Sequence, residues 1–151
     1  MKNSDLVEIE AIKQLKARYF RFLDTKQWDE WREVFSEDFT GEIHGPHPII
    51  HFASRDEMVE SNRKILAEAN TVHHGHMPEI EITGEDTATG VWAMMDVVRL
   101  GAGFTGYGHY HEQYRKEAGE WRIAKMKITR LFTEVGSETA SNDPGVQGDD
   151  S

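Results

Sequence analysis

Helical and strand periodicities divide this chain near residue 70, and that division limits the fold more than any single motif. Ile9, Ile12, Leu15, Tyr19 and Leu23 recur at three- and four-residue steps, and Phe20 and Phe22 widen the stripe, which predicts a helix with one buried face. Trp28, Trp31, Val34 and Phe35 form a shorter second stripe. Ser54 and Glu57 have capping-box spacing, and Met58, Asn62, Ile65 and Leu66 follow on one side of a third helix. Between these helices, residues 38–43 read as a short strand, and residues 44–53 as irregular around Gly45, Pro46 and Pro48.

After Asn70 the pattern becomes that of strands, over 72–77, 79–83, 87–100, 104–116 and 120–135. Gly84-Glu85-Asp86 and Glu117-Ala118-Gly119 supply hairpin turns, and Gly101 to Gly103 a looser one. Helices first and an antiparallel meander last define an α+β chain, not an alternating βα one. Three helices packed on the concave side of a curved, mostly antiparallel sheet would enclose a pocket.

Composition narrows the function. There is no cysteine, which removes disulfides, thiolate nucleophiles and cysteine-held zinc. The formal charge is −10 with no basic stripe, which argues against nucleic acid and anionic membrane as partners. Residues 136–151 hold four acids and no Lys or Arg, so −6 of that charge rests on 1–135. That Gly-, Ser- and Asp-rich tail is expected to be disordered, leaving residues 1–135 as the folded domain. No apolar run is long enough to span a bilayer, and the acidic first ten residues are unlike a signal peptide, so the expected location is the cytoplasm. Phosphate-binding glycine loops and nucleophile elbows are absent from the sequence.

Several polar residues fall where a pocket would be. On a period of two, Ala124, Met126, Ile128, Arg130 and Phe132 share one face of the last strand. Arg130 then either meets an acid or anionic ligand, or reaches water at the strand end. Asp96 shares a face with Trp92, Met94 and Val98, either as a second pocket acid or on the outer side of the sheet. His73 points away from His74 and His76, so only one of these sets faces inward. An inward histidine beside an acid makes a base dyad, whereas the ordinary alternative is a surface or hydrogen-bonded core histidine. His74-x-His76 and His109-x-His111 each put two imidazoles on one strand face, a weak metal signature that lacks the supporting acid and glycine spacing; the expectation is no metal. His44, His47 and His51 fill the loop, with no role assigned.

The stretch IEAIKQLKARYFRFLDTKQWDE, then HHGHMPEIEITGEDTATGVW, then GEWRI and the Arg130 strand resemble the SnoaL-like branch of the NTF2-like superfamily, over about residues 7–135. Within that branch the chain is similar to the bacterial bile acid 7-alpha-dehydratases. The resemblance implies an α+β cone with a deep pocket and Tyr19, Asp24, His73 and Arg130 as the catalytic set. The first-helix aspartate and the HxG histidine also match the hexachlorocyclohexane dehydrochlorinases, and scytalone dehydratase is a more distant likeness. All imply elimination without cofactor or metal. The reaction expected is loss of water from a hydrophobic, steroid-like or polycyclic hydroxy-ketone. His73 would be the base, Asp24 its orienting partner and Tyr19 the donor. Arg130 would stabilise charge or pair with Asp24 in the empty site. Phe20, Leu23, Trp92, Met94, Asp96, Met126 and Ile128 would line the pocket. The alternatives are a non-catalytic small-molecule binder, an isomerase or polyketide cyclase, and the small subunit of a ring-hydroxylating dioxygenase. Cones of this kind pair through the open sheet face, implying a homodimer or homotrimer.

One geometric condition follows from helix geometry. Tyr19 and Asp24 are five residues apart, about 140° around an ideal helix. They reach one pocket only if the helix ends near Asp24.

Overall fold

The computed structural model describes residues 1–45 and 48–136; His47 and the tail from 137, expected to be disordered, lie outside the described residues. The elements run α1 (Asn3–Asp24), α2 (Trp28–Arg32), β1 (Phe35–Ile43), β2 (Ile50–Phe52), α3 (Arg55–Leu66), β3 (Asn70–Ile82), β4 (Thr87–Arg99), β5 (Phe104–Glu117) and β6 (Glu120–Val135). β3 to β6 form the expected antiparallel meander. β1 adds to β6 in parallel, β2 closes that edge, and the order is β2-β1-β6-β5-β4-β3. The sheet is curved and unclosed, and the helices pack on one face.

Local sequence explains most boundaries. Ser54 caps α3 through its hydroxyl, which accepts from the Glu57 amide at 3.1 Å, while the Glu57 carboxylate accepts from the Ala53 amide at 2.8 Å, one residue earlier than in a standard capping box. Ala118 and Gly119 both have positive φ (50° and 80°), the backbone a two-residue hairpin between Glu117 and Glu120 requires.

Five local expectations change. Ile50–Phe52, inside the stretch read as irregular, forms β2 against β1. Val34 and Phe35 do not continue the second helix: α2 stops at Arg32, and the wholly buried Phe35 opens β1. Ile65 is exposed, because α3 packs through Met58, Leu66 and the partly buried Val59. The two strands expected over 72–77 and 79–83 are one, β3 (Asn70–Ile82), carrying a bulge between His76 and Glu79 with Met77 at φ 43°. Phe132 leaves the inner face, since a bulge opposite Tyr107 and Gly108 flips the alternation after Arg130. Phe132 then stacks on Tyr107, ring centroids 4.6 Å apart. Gly108 permits this, since a Cβ there would overlap the Thr129 carbonyl.

The core lies between α1 and the inner sheet face. Ile12, Leu15, Tyr19 and Leu23 meet Trp92, Met94, Tyr110, Tyr114, Met126 and Ile128, all nearly or fully buried. Trp31, Phe35 and Phe39 extend a run of edge-to-face and tilted aromatic contacts behind Tyr19. No helix among the described residues is long and apolar enough to cross a membrane.

Candidate active site

α1 ends at Asp24, which meets the geometric condition above. The carboxylate leaves the helix end and reaches β3. Its Oδ1 lies 2.7 Å from His73 Nδ1, and its Oδ2 accepts the His73 backbone N–H at 2.8 Å. A carboxylate only accepts, so this contact selects the tautomer with hydrogen on Nδ1 and leaves Nε2 with a lone pair. Thr71 Oγ1 donates to the same Oδ1 at 3.0 Å. His73 is 7% exposed, on the inner side of β3, while His74 and His76 point outward.

Arg130 also faces inward, but its partner differs from the expected one. It forks onto Asp96, not Asp24, with Nη1 to Oδ1 and Nη2 to Oδ2 both 2.8 Å. The reason is register: Asp96 is the cross-strand partner of His73 and of Gly106, and Gly108 is the partner of Arg130. A Cβ at Gly106 would overlap both charged groups, so the pair sits over a bare stretch of β5. Burial opposes the Arg130 charge, and the Asp96 hydrogen bonds and field outweigh it, carrying Arg130 above its ordinary value. Asp96, left open as inner or outer, is 4% exposed and inward.

Tyr19 is buried among Phe20, Trp31, Phe35 and Tyr110. Burial, then the negative charge of Glu112, pushes its phenol well above the ordinary value, so it stays a protonated donor. Tyr110 is raised by burial and by Tyr19, and its hydroxyl neighbours Tyr19 without a well-aligned partner. Phe20 is half-buried and packs over Gly75, where a Cβ would be 2.7 Å from its ring. Leu23, Trp92, Met94, Met126 and Ile128 lie inside as expected, with Trp92 Nε1 donating to Tyr114 Oη at 2.9 Å.

The sequence reading missed a buried ion pair, Lys16 with Glu112. Both side chains are fully enclosed, and the ammonium lies 3.7 Å from the Tyr19 ring centroid and 3.6 Å from that of Tyr110. Burial pulls Lys16 down to about 8 against the field of Glu112, and burial pushes Glu112 up against Lys16. A signal was available: Lys16 sits between Ile12 and Tyr19 on the apolar stripe, and Glu112 alternates with Tyr110 and Tyr114.

Two surface clefts open at the margins of the site, one at Asp24 and Thr71 and one at Arg130. One of about 560 Å³ is lined by Asp24, Lys26, Thr71, Val97 and Arg99 among others. Another, of about 430 Å³, is lined by His44, Gly45, Arg130 and Phe132 among others. A larger cleft of about 660 Å³ includes Glu42, His111, Gln113, Lys125 and Lys127 on the outer sheet face, away from the dyad. The remaining described histidines stand apart. His44 and His51 flank Glu42 at 2.7 and 3.6 Å, and the His74/His76 and His109/His111 pairs lie on the outer face either side of β4. Among the described residues no three ligating side chains converge as a metal would need.

Comparison with known proteins fits this geometry. A family model described as SnoaL-like domain matches residues 4–127. Probable cyclase FGR4 of Gibberella zeae is 25% identical over 134 residues, covering 80% of this chain and 89% of that protein. A scytalone dehydratase-like protein of Novosphingobium aromaticivorans superposes with a TM-score of 0.77 at 20% identity, over 93% of this chain and 98% of that one. A type 2 hexachlorocyclohexane dehydrochlorinase, LinA, superposes with a TM-score of 0.79 at 16% identity, over 94% and 97% of the two chains.

Proposed function

Starting from the fact that this chain belongs to the SnoaL-like domain family, with an NTF2-like α+β fold, we propose that it is a lyase whose own side chains supply the acid–base chemistry, acting as a dehydratase on a hydrophobic β-hydroxy ketone. The observation that carries the reading is the 2.7 Å contact of Asp24 with His73 Nδ1, which leaves Nε2 free to take a proton. The relatives' dehydratase, dehydrochlorinase and cyclase names support proton-abstraction chemistry of this kind.

His73 Nε2 removes the proton next to the carbonyl, and the C–H electrons form an enolate. Asp24 stabilises the imidazolium so formed. Tyr19 donates a hydrogen bond to the enolate oxygen; one such preorganised donor commonly contributes a factor of about a hundred to a thousand. As the carbonyl reforms, the C–O bond at the β carbon breaks, and the imidazolium returns its proton to the departing hydroxide. The products are an enone and water. Arg130 neutralises Asp96 beside His73, so the site holds one uncompensated carboxylate instead of two. Phe20, Leu23, Met94, Met126 and Ile128, packed on the inner side of the sheet, make the site's surroundings apolar and exclude water, which suits a substrate of steroid-like or polycyclic type.

A second reading is favoured by the cyclase relative: the same dyad and donor drive isomerisation or ring closure with no leaving group. The test is incubation with polycyclic β-hydroxy ketones while following enone absorbance. The proposal expects enone formation that disappears in His73→Ala. A rearranged product with no water lost supports the second reading, and full activity in His73→Ala removes the dyad from either.

A further inference from the structure

The turn after α1 holds a residue in a conformation it disfavours. Gln27 N–H bonds the Phe22 carbonyl at 2.8 Å and Lys26 N–H bonds the Leu23 carbonyl at 3.1 Å, the hydrogen-bond pattern of a Schellman motif. Its left-handed position is usually glycine, yet here it is Lys26 at φ 60°. The side chain explains the choice. From that turn the Lys26 ammonium reaches over β3 and donates to Thr71 Oγ1 at 2.8 Å. Thr71 has one hydrogen to give. With Lys26 occupying a lone pair, that hydrogen goes to Asp24 Oδ1 at 3.0 Å. Asp24 in turn accepts from His73 Nδ1. Hydrogen-bond direction is therefore set along the whole chain, from ammonium to hydroxyl to carboxylate, with imidazole arriving from the other side. Asp24 is 21% exposed in its side chain, so without Thr71 and Lys26 water would compete for the oxygen that orients His73. The ammonium lies at the cleft shared by Glu68 and Arg99, where burial pulls it below the ordinary lysine value against the pull of Asp24.

We propose that Lys26 and Thr71 are positioning residues of this site: they hold Asp24 in the rotamer that keeps the His73 hydrogen on Nδ1 and the basic lone pair on Nε2. This rests on the Asp24–His73 dyad reading above. Neither residue touches substrate in this account.

The measurement needs no substrate. Imidazole ¹⁵N shifts of labelled full-length protein report the tautomer of His73 directly. Wild type is expected to show hydrogen on Nδ1. Lys26→Gly retains the favoured turn backbone and removes the whole side chain with its ammonium; Thr71→Val removes the hydroxyl at constant shape. Each should change the tautomer ratio toward Nε2–H roughly fivefold, the net size of one ordinary intramolecular hydrogen bond. Thr71→Ser should restore the wild-type spectrum. Backbone amide spectra and urea midpoints check folding, and Lys26→Gly is expected to be no less stable than wild type. Wild-type tautomers in both Lys26→Gly and Thr71→Val overturn the positioning role and leave the dyad intact. Wild-type protein with hydrogen on Nε2 instead overturns the dyad itself.

Discussion

Replacing Lys16 with Met should expose how the core tolerates a charge. Lys16 and Glu112 have no exposed side-chain surface, so solvent screening gives no discount. Removing the ammonium leaves a carboxylate enclosed by Tyr110, Tyr114 and Met126, and breaking one partner of such a pair costs about 3–5 kcal/mol. Protonation of Glu112, already pushed up by burial, limits the loss. Methionine retains most of the stem packing but forfeits two cation–π contacts at 3.7 and 3.6 Å, each about 0.5–2 kcal/mol. The expected cost for Lys16→Met is therefore about 4 kcal/mol, a large share of the 5–15 kcal/mol typical of a domain. With an m-value of about 2 kcal/mol per molar, the urea midpoint falls by about 2 M. The double variant Lys16→Met with Glu112→Leu should recover to within about 2 kcal/mol of wild type, because the desolvation cost disappears with both charges. Glu112→Leu alone should cost about 3 kcal/mol for the stranded ammonium, so urea unfolding at pH 7 on all four corners of the cycle gives a coupling of about 5 kcal/mol. A single-variant loss below about 1 kcal/mol, or strictly additive losses, would refute the claim that these groups are a mutually dependent buried pair.

Other consequences are open to measurement. Glu8 accepts from Lys116 Nζ at 2.9 Å and Trp121 Nε1 at 2.5 Å, and these bonds hold its carboxyl below the ordinary value. A depressed acid stabilises above its unfolded value and loses that contribution as pH falls through the folded one. Glu8→Gln should therefore cost about 0.5–1 kcal/mol at pH 7, discounted for its exposure, and the gap should close as pH falls below the ordinary glutamate range in denaturant titrations. Gly106→Ala should force the Asp96–Arg130 fork apart and cost about 1–3 kcal/mol by thermal melting; an unchanged melting temperature would show that the pair can shift freely.

The division between helices and meander was legible because period 3.6 and period 2 are properties of local sequence. Alternation separated His73 from His74 and His76 without saying which set faces inward, and Asp24 could be read as solvated at its helix end; the resemblance to the SnoaL-like branch, not local pattern, singled out these two. The partner of Arg130 was not legible, because it depends on the register that puts Asp96 opposite Gly106 and on a bulge that no local pattern announces. Phe132 was misplaced by that bulge. Lys16 and Glu112 escaped because each, read alone, looks like an ordinary charged residue, and only the crossing of α1 over β5 brings them together. Lys26 escaped because a lysine at a helix C-terminus is unremarkable until its φ is known.

The central claim is that His73, held by Asp24, removes a proton next to a carbonyl. Solvent deuterium incorporation at that carbon tests it without requiring a leaving group, and so covers elimination and isomerisation together. Polycyclic ketones and β-hydroxy ketones in D2O would be followed by mass spectrometry with wild type, His73→Ala and Asp24→Asn. Wild-type exchange is expected well above that of free imidazole at equal concentration, falling by a factor of about a hundred or more in each variant. Wild-type exchange no faster than imidazole, or undiminished exchange in His73→Ala, contradicts the claim.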